Sequence, residues 1–344
     1  MLRIGLLGAG FIAENYMQSL KKVSNQSVNA VFSKDINGVK SAKSFAKKWN
    51  ISGYTNDLNE IILDKSIDLV IIALPNFLHK EVIVSAAKQK KHILCTKPLG
   101  LNAAEADIIL KIVEKYGIYN GYLENDVFSP VNTRIKELVD NNNIGKILKF
   151  KATVGHNGPH EKWFYDPKFS GGGVIIDLSC HSIELARHII GKEYKLLEIF
   201  AYGDTLLQKA KVEDNAIILL KFENGALAVC ESSWIIKGDL ENRNEIYGDQ
   251  GVIISDYKGS YIKQLNKNKD LNTGSINNLA GWNYQAIDEL YISGFKDMME
   301  HFVSCYNNNI SPNETFKDGY MVNLIIDHAY RSIKSRKWVP FICD

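Results

Sequence analysis

The start of the sequence constrains the fold most, because a short apolar run leads directly into a glycine-rich turn. Residues 2–7 (LRIGLL) have the character of a buried strand, and residues 8–13 (GAGFIA) follow at once. This spacing matches G-x-G-x-x-G/A. In that motif the first glycine makes a tight turn, the second admits a pyrophosphate, and the small last residue lets the helix pack on the strand. A helical pattern follows, as a dinucleotide-binding βαβ unit requires.

Strand and helix patterns alternate through the first third of the chain. The strand-like runs VNAVFSKD, DLVIIAL and HILCT are each followed by a helical pattern, with no hairpin turn between them. This order predicts an α/β fold with a doubly wound parallel sheet over residues 1–122. Ligands of such sheets bind at the carboxyl ends of the strands, which places the turns 8–13, 33–35, 74–79 and 96–98 along one crevice.

The end of the second strand bears on the choice between NAD and NADP. A small polar residue followed by a basic one, here Ser33 and Lys34, tolerates the 2′-phosphate of NADP. An acidic residue at this point pairs instead with the ribose hydroxyl of NAD. Asp35 follows one place later, and a small shift in register would put it on the ribose. The sequence favours NADP slightly and leaves NAD open.

Lys97 stands at the end of the HILCT strand, directly before Pro98. Because the residue before a proline adopts an extended conformation, we expect Lys97 to project from the strand tip toward the crevice. Its ammonium group is suited to hold a substrate hydroxyl. It also stabilises the oxyanion that forms when that hydroxyl loses its proton.

A second candidate site lies in residues 170–191, where three glycines at 171–173 open a predicted helix. Asp177 and His181 follow four residues apart and share one helix face. A histidine with a carboxylate one turn away can act as an acid/base pair at neutral pH, and the glycines leave room for a ligand near the backbone. The alternative is an exposed aspartate with a hydrogen-bonded core histidine.

The second half of the chain changes pattern. From KILKFKATVG onward, period-two alternation and an Asn-Gly hairpin turn (FENGAL) predict a mostly antiparallel sheet in an α+β domain over residues 123–344. The long loop before the three glycines carries His156, His160 and Trp163, and its aromatic and hydrogen-bonding groups suit a carbohydrate. It lacks a helical H-x-x-x-H with a third ligand, so no metal is expected.

Composition argues against several classes of function. Forty-one basic and thirty-nine acidic residues give a net charge of +2. The lysines are scattered, which argues against nucleic acid or an anionic membrane as the main partner. No apolar run has the length of a membrane span or the form of an export signal. The five widely spaced cysteines fit neither a disulfide framework nor a zinc site, so a cytoplasmic location is expected.

Taken together, the motifs resemble the Gfo/Idh/MocA family, which includes glucose-fructose oxidoreductase and inositol dehydrogenase. The matching segments span the chain: IGLLGAGFIA, ALPNFLH, TKPLG, GGGVIIDLSCH, EDNAIILLKFENGALAVCESSW, EIYGDQGVI and NETFKDGYMVNLIIDHAYRSIKSRKWVPF. The resemblance implies an N-terminal Rossmann domain, a C-terminal α+β domain with a large open sheet, and NAD(P)-linked oxidation or reduction of a sugar or polyol hydroxyl. It also implies a partner subunit on the open sheet, so a homodimer or homotetramer is expected.

The resemblance assigns catalysis to Lys97, Asp177 and His181. The cofactor residues, from the family motifs and the strand ends, are Gly8, Gly10, Phe11, Ile12, Ser33, Lys34, Leu74, Pro75, Asn76, His79, Thr96 and Lys97. The candidate substrate-binding residues are Lys97, Asn125, His156, His160, Trp163, Asp177 and His181. In this hypothesis His181 accepts the hydroxyl proton, Lys97 orients the oxygen, and Asp177 positions the pair.

Two departures from the family pattern concern the cofactor. Thr96 stands where the family has a glutamate before the lysine, and Trp163-Phe164 stands where many members have Trp-Arg.

The sequence leaves three functions open. The first is a dehydrogenase or reductase. The second is a redox-neutral glycosidase or lyase that oxidises a sugar transiently with tightly bound NAD, and the third is a non-catalytic NAD(P)-binding regulatory protein.

Overall fold

The computed structural model describes residues 1–34, 41–207, 210–237, 240–256, 261–266 and 292–343. The chain divides into two compact units. The first comprises Met1–Asn125 and Gly294–Asn323, and the second comprises Asp126–Ser293 and Leu324–Asp344. Among the described residues, no helix combines the length and the apolar composition needed to cross a membrane.

In the described part of the first unit, six parallel strands form one sheet with the order β3-β2-β1-β4-β5-β6. The strands are β1 Leu2–Leu7, β2 Gln26–Phe32, β3 Gly53–Thr55, β4 Leu69–Ile72, β5 His92–Thr96 and β6 Asn120–Leu123. The helices between them are α1 Phe11–Leu20, α2 Ala42–Trp49, α3 Leu58–Leu63, α4 His79–Lys88 and α5 Ala103–Tyr116. The predicted parallel, doubly wound sheet is confirmed, and its order reverses between β1 and β4, where such sheets bind dinucleotides.

Local sequence explains where these elements begin and end. The central strand β4 is fully buried along its length, as expected of a parallel strand whose two faces are covered by helices. Helix α5 begins where the Asn102 side chain accepts a hydrogen bond from the Glu105 N–H, and it ends at Gly117, whose φ is +61°. A polar N-cap and a left-handed glycine are the ordinary signals for the two ends of a helix.

Within the described ranges of the second unit, eight strands form a sheet with the order β13-β12-β11-β7-β10-β9-β8-β14. The strands are β7 Ile147–Gly155, β8 Leu196–Asp204, β9 Asn215–Phe222, β10 Leu227–Ser233, β11 Glu241–Gly248, β12 Gly251–Asp256, β13 Tyr261–Asn266 and β14 Val339–Pro340. The helices are α6 Pro130–Asp140, α7 Pro167–Ser170 and α8 Cys180–Ile190. Strands β7 and β10 pair in parallel and the other pairs are antiparallel, so the predicted mostly antiparallel sheet is confirmed.

Two helices follow in the last part of the chain, α9 Phe295–Asn307 and α10 Phe316–Ser335. The expected division was 1–122 and 123–344, but the structure packs α9 and the start of α10 with the first unit. The Phe295 ring meets Tyr16 of α1 edge-on at 6.0 Å. Phe302 fills the space beside Gly121 in β6, where a Cβ atom would clash with its ring. The physical reason is that a late helix covers apolar surface left by the first six strands.

Candidate active site

The glycine-rich turn between β1 and α1 has a separate physical reason for each small residue. Gly8 has a φ of +120°, and a Cβ atom there would clash with the Ala73 carbonyl oxygen. Ala13, in the first turn of α1, is fully buried. Gly10 is the N-cap of α1, no side chain caps this helix end, and a Cβ on Gly10 would meet no protein atom within 4 Å. The space before the helix N-terminus is therefore open to a ligand, which suits the pyrophosphate of a dinucleotide.

The loop after β2 holds the residues that bear on cofactor choice. Ser33 is buried, and its N–H donates to the Thr55 carbonyl oxygen at 3.2 Å. This bond fixes Ser33 to the end of β3. Lys34 is exposed, and Asp35 lies outside the described residues.

His79 has a structural environment that its sequence position does not predict. The imidazole is fully buried, with Nδ1 2.9 Å from the Pro98 carbonyl oxygen and Nε2 2.8 Å from the Leu74 carbonyl oxygen. Burial lowers the pKa of His79, and the backbone carbonyls oppose that change. The ring thus joins the loop after β4 to the loop after β5. Leu74 and Pro75 are half-buried in the same loop, where Asn76 is buried.

Lys97 follows directly on β5, which ends at the buried Thr96, and the lysine itself is half-buried. The peptide bond between Lys97 and Pro98 is cis. The turn that follows is held by Asn323 of α10, a fully buried residue. Its Nδ2 donates to the Gly100 carbonyl oxygen at 2.8 Å, and its Oδ1 accepts from the Gly100 N–H at 3.3 Å. The Asn323 side chain, 223 positions from Gly100 in the sequence, thereby fixes the backbone of the turn that follows Lys97.

The three glycines in the second unit are required by neighbouring protein atoms. Gly171 has a φ of +89° at the end of α7. A Cβ atom on Gly172 would clash with the Tyr330 hydroxyl, and one on Gly173 would clash with the backbone of Glu213. The expectation that these glycines leave room for a ligand is therefore wrong for Gly172 and Gly173. Their space is taken up by the protein itself.

Asp177 lies in a π-helical turn, Ile175–Ser179, that leads into α8, where the spacing predicts a plain α-helix. Such turns bond i to i+5, are rare, and recur at functional sites. The Trp234 indole Nε1–H donates to Asp177 Oδ2 at 3.0 Å, and Trp234 is fully buried. Asp177 and His181 are 5% and 9% exposed, so the predicted exposed position for the aspartate is excluded. The carboxylate is held in one orientation by an indole.

The loop before the glycines reaches the same indole. Trp163 stacks on Phe164 at 3.8 Å, and the rings of Phe164 and Tyr165 meet Trp234 edge-on at 6.4 and 6.1 Å. Aromatic surface with polar edges is typical of carbohydrate-binding surfaces. Trp234 thus links the loop to Asp177. Sequence reasoning used this tryptophan only as part of a matching motif and missed its role, and its position just after a strand was the available signal.

The two histidines of the loop lie near each other. The rings of His156 and His160 are 5.1 Å apart, with His156 half-buried and His160 exposed. The backbone N–H of His156 donates to the carbonyl oxygen of Ser233, and Ser233 directly precedes Trp234. The second unit therefore collects His156, His160 and Trp163 in the loop that meets Trp234.

The predicted residues of the first unit lie at the carboxyl ends of β1, β2, β4 and β5, in the turns there or at the near ends of the adjoining strands and helices. These are Gly8, Gly10, Phe11, Ile12, Ser33, Lys34, Leu74, Pro75, Asn76, His79, Thr96 and Lys97. Asn125 is half-buried and begins the short turn Asn125–Phe128 that follows β6. The parallel-sheet rule thus finds one edge of the sheet but does not distinguish ligand contacts from loop anchors such as His79.

Two family profiles match separate parts of the chain. Residues 2–120 match the oxidoreductase family with an NAD-binding Rossmann fold, and residues 132–254 match the GFO/IDH/MocA C-terminal domain. The chain belongs to the Gfo/Idh/MocA family. It is accordingly an enzyme of an NAD-binding oxidoreductase family, as the resemblance implied.

Curated relatives agree with this assignment. The uncharacterized oxidoreductase YrbE of Bacillus subtilis is 32% identical over 73% of this chain and 73% of its own length. The myo-inositol 2-dehydrogenase of Thermotoga maritima is 30% identical over 74% of this chain and 75% of its own length. The levoglucosan dehydrogenase of Pseudarthrobacter phenanthrenivorans is 25% identical over 86% of this chain and 85% of its own.

Solved structures of similar proteins share the fold of this Gfo/Idh/MocA family member. A levoglucosan dehydrogenase in complex with NADH has a TM-score of 0.88 at 22% identity, with all of both chains covered. GenD2 from gentamicin A biosynthesis, in complex with NAD, has a TM-score of 0.87 at 23% identity, covering 99% of this chain and 97% of its own. At these identities the likeness establishes the fold.

Proposed function

We propose that the protein is a dehydrogenase or reductase that transfers a hydride between a nicotinamide cofactor and a secondary hydroxyl or ketone of a sugar, inositol or sugar derivative. The observation that carries the proposal is the buried Asp177 carboxylate, fixed by Trp234 at 3.0 Å one turn before His181. A purely regulatory protein has no need of such an oriented pair. The relatives named inositol and levoglucosan dehydrogenases support the substrate class.

The first unit fits a dinucleotide through the open space at Gly10 and the N-terminus of α1. The residues that would hold it are Gly8, Gly10, Phe11, Ile12, Ser33, Lys34, Leu74, Pro75, Asn76, Thr96 and Lys97, with His79 fixing the loops. When bound, the nicotinamide ring supplies hydride transfer. The exposed Lys34 beside Ser33 supports acceptance of NADP in addition to NAD.

Each catalytic residue has one role in the proposal. His181 accepts the proton of the substrate hydroxyl, for which a neutral imidazole is required. Lys97 holds the hydroxyl oxygen and stabilises the negative charge that develops on it. Asp177 does not exchange the proton but orients His181, and Trp234 in turn orients Asp177. The loop with Trp163, His156 and His160 is assigned to the sugar, as is Asn125.

Replacing Gly10 by Ala tests the cofactor assignment. The new methyl group meets no protein atom, so we expect the melting temperature to stay unchanged. It does occupy the space assigned to the pyrophosphate, and overpacking costs roughly 1–3 kcal/mol, so NADH affinity should fall about 10- to 100-fold. Calorimetric titration and thermal melting measure the two effects. Gly8→Ala is the contrasting control, since its clash with Ala73 should lower the melting temperature. Unchanged NADH affinity in Gly10→Ala would contradict the assignment.

A substrate screen tests the reaction class. The purified protein is incubated with inositol isomers, levoglucosan, sugars and sugar acids, each with NAD and with NADP, and reduced nicotinamide is followed by absorbance. We expect at least one cyclic polyol or sugar to be oxidised. Turnover of a glycoside without net reduction would support the redox-neutral alternative, and binding of cofactor without any turnover would support the regulatory one.

The outer face of the second unit's sheet supports self-association. Tyr202 in β8 and Ile217 in β9 pair across the strands, so they share one face, and they are 52% and 38% exposed. We expect a homodimer or homotetramer through this face, measured as mass by light scattering. Ile217→Glu should lower the mass, and Leu63→Glu, which alters an exposed apolar residue of α3 in the first unit, should not. A stable wild-type monomer at micromolar concentration would contradict this expectation.

A further inference from the structure

Glu213, which precedes β9, holds the backbone from Gly173 to Ile175, just before Asp177. Its Oε1 accepts from the Gly173 N–H at 3.0 Å and from the Ile175 N–H at 3.1 Å. Its backbone carbonyl oxygen accepts from the Val174 N–H at 2.9 Å. Glu213 thereby satisfies three consecutive backbone N–H donors at the start of the π-helical turn. The first N–H groups of a helix cannot all find partners within the helix itself.

The Glu213 carboxylate is itself fixed from a second side. The Tyr330 hydroxyl of α10 donates to the same Oε1 at 2.8 Å. The hydroxyl lies so close to the chain that only a glycine fits at position 172, and the Glu213 backbone demands a glycine at 173. Two of the three glycines are therefore required by the positions of Tyr330 and Glu213. We call these two residues the clamp, and their contacts set where the turn begins.

The next residue, Asp214, connects the clamp to the other support of Asp177. The fully buried Asp214 accepts from the backbone N–H groups of Leu206 and Leu207 through its carboxylate. The backbone carbonyl oxygen of Asp214 accepts from the backbone N–H of Trp234 at 2.8 Å. The dipeptide thus anchors both the turn that carries Asp177 and the tryptophan that bonds the Asp177 carboxylate.

We propose that Glu213, held by Tyr330, is a positioning residue of the reaction: it fixes the turn that carries Asp177 and leads into the helix of His181, and it touches neither substrate nor cofactor. The inference rests on the proposed dehydrogenase function for its kinetic consequence. Small displacements of catalytic groups cost up to about a hundredfold in rate. Glu213→Ala should therefore lower kcat about 10- to 100-fold. NADH affinity should stay unchanged, because the cofactor residues belong to the first unit.

The matched control is Glu223→Ala. Glu223, directly after β9, also has a carboxylate that accepts a backbone N–H, from Lys195 at 2.9 Å, but it is exposed and its bond is to Lys195 and not to the turn before Asp177. We expect it to leave kcat unchanged. Glu213→Gln keeps an oxygen acceptor for the turn and should recover most of the loss. Tyr330→Phe keeps the carboxylate and should give a smaller loss than Glu213→Ala.

A spectroscopic readout separates this proposal from general loss of stability and from the dehydrogenase proposal itself. The indole Nε1–H resonance of Trp234, assigned with Trp234→Phe, reports the bond to Asp177. It should move in Glu213→Ala and stay in place in Glu223→Ala, whether or not a substrate has been found. An unmoved resonance with full kcat in folded Glu213→Ala would overturn the proposal. If that variant does not fold, an unmoved resonance with full kcat in folded Tyr330→Phe would overturn the proposal.

Discussion

His181→Ala should reduce kcat by about 10²- to 10⁴-fold, the range that a positioned general base contributes. The imidazole is 9% exposed in α8, so its removal leaves a small cavity, and added imidazole should restore part of the lost turnover. Steady-state kinetics on the substrate found by screening measures both effects.

The control for this prediction is on the same helix. His188→Ala removes another imidazole of α8, seven residues later and in the last turn of the helix. It should leave kcat unchanged. Equal losses in both variants would mean that the helix, and not the imidazole of His181, accounts for the effect.

Lys97→Met should lower kcat by about 10²- to 10³-fold, because removal of one donor to a developing oxyanion costs that much. Methionine keeps the apolar stem of the lysine and removes the charged donor group, so the fold should survive. Lys88→Ala, at the exposed end of α4, removes a lysine without an assigned role and should have no effect. Full turnover in Lys97→Met would contradict the assigned role of the ammonium group.

The parts of the fold that sequence predicted are those written in local periodicity. The apolar run at Leu69–Ile72 and the turn at Gly8 predict the parallel sheet and its ligand-binding edge, and the structure confirms the sheet. The period-two alternation after residue 147 likewise predicts the antiparallel strands of the second unit. Each signal lies within a few residues of the structure it predicts.

The parts that sequence missed depend on contacts between distant residues. Trp234 and Asp177 are 57 positions apart, and Asn323 and Gly100 are 223 apart, so no local pattern connects them. The glycines at 172 and 173 illustrate the same limit. Their spacing indicates freedom of the backbone. Only the structure shows that glycine is required at these two positions because Tyr330 and Glu213 leave no room for a side chain.

The most direct test of the central claim follows the hydride. A substrate from the screen is labelled with deuterium on its carbinol carbon, incubated with the oxidised cofactor and the enzyme, and the reduced cofactor is examined by mass spectrometry. A dehydrogenase transfers one deuterium to each nicotinamide, in an amount equal to the ketone formed. Product without deuterated reduced cofactor would contradict the proposed function.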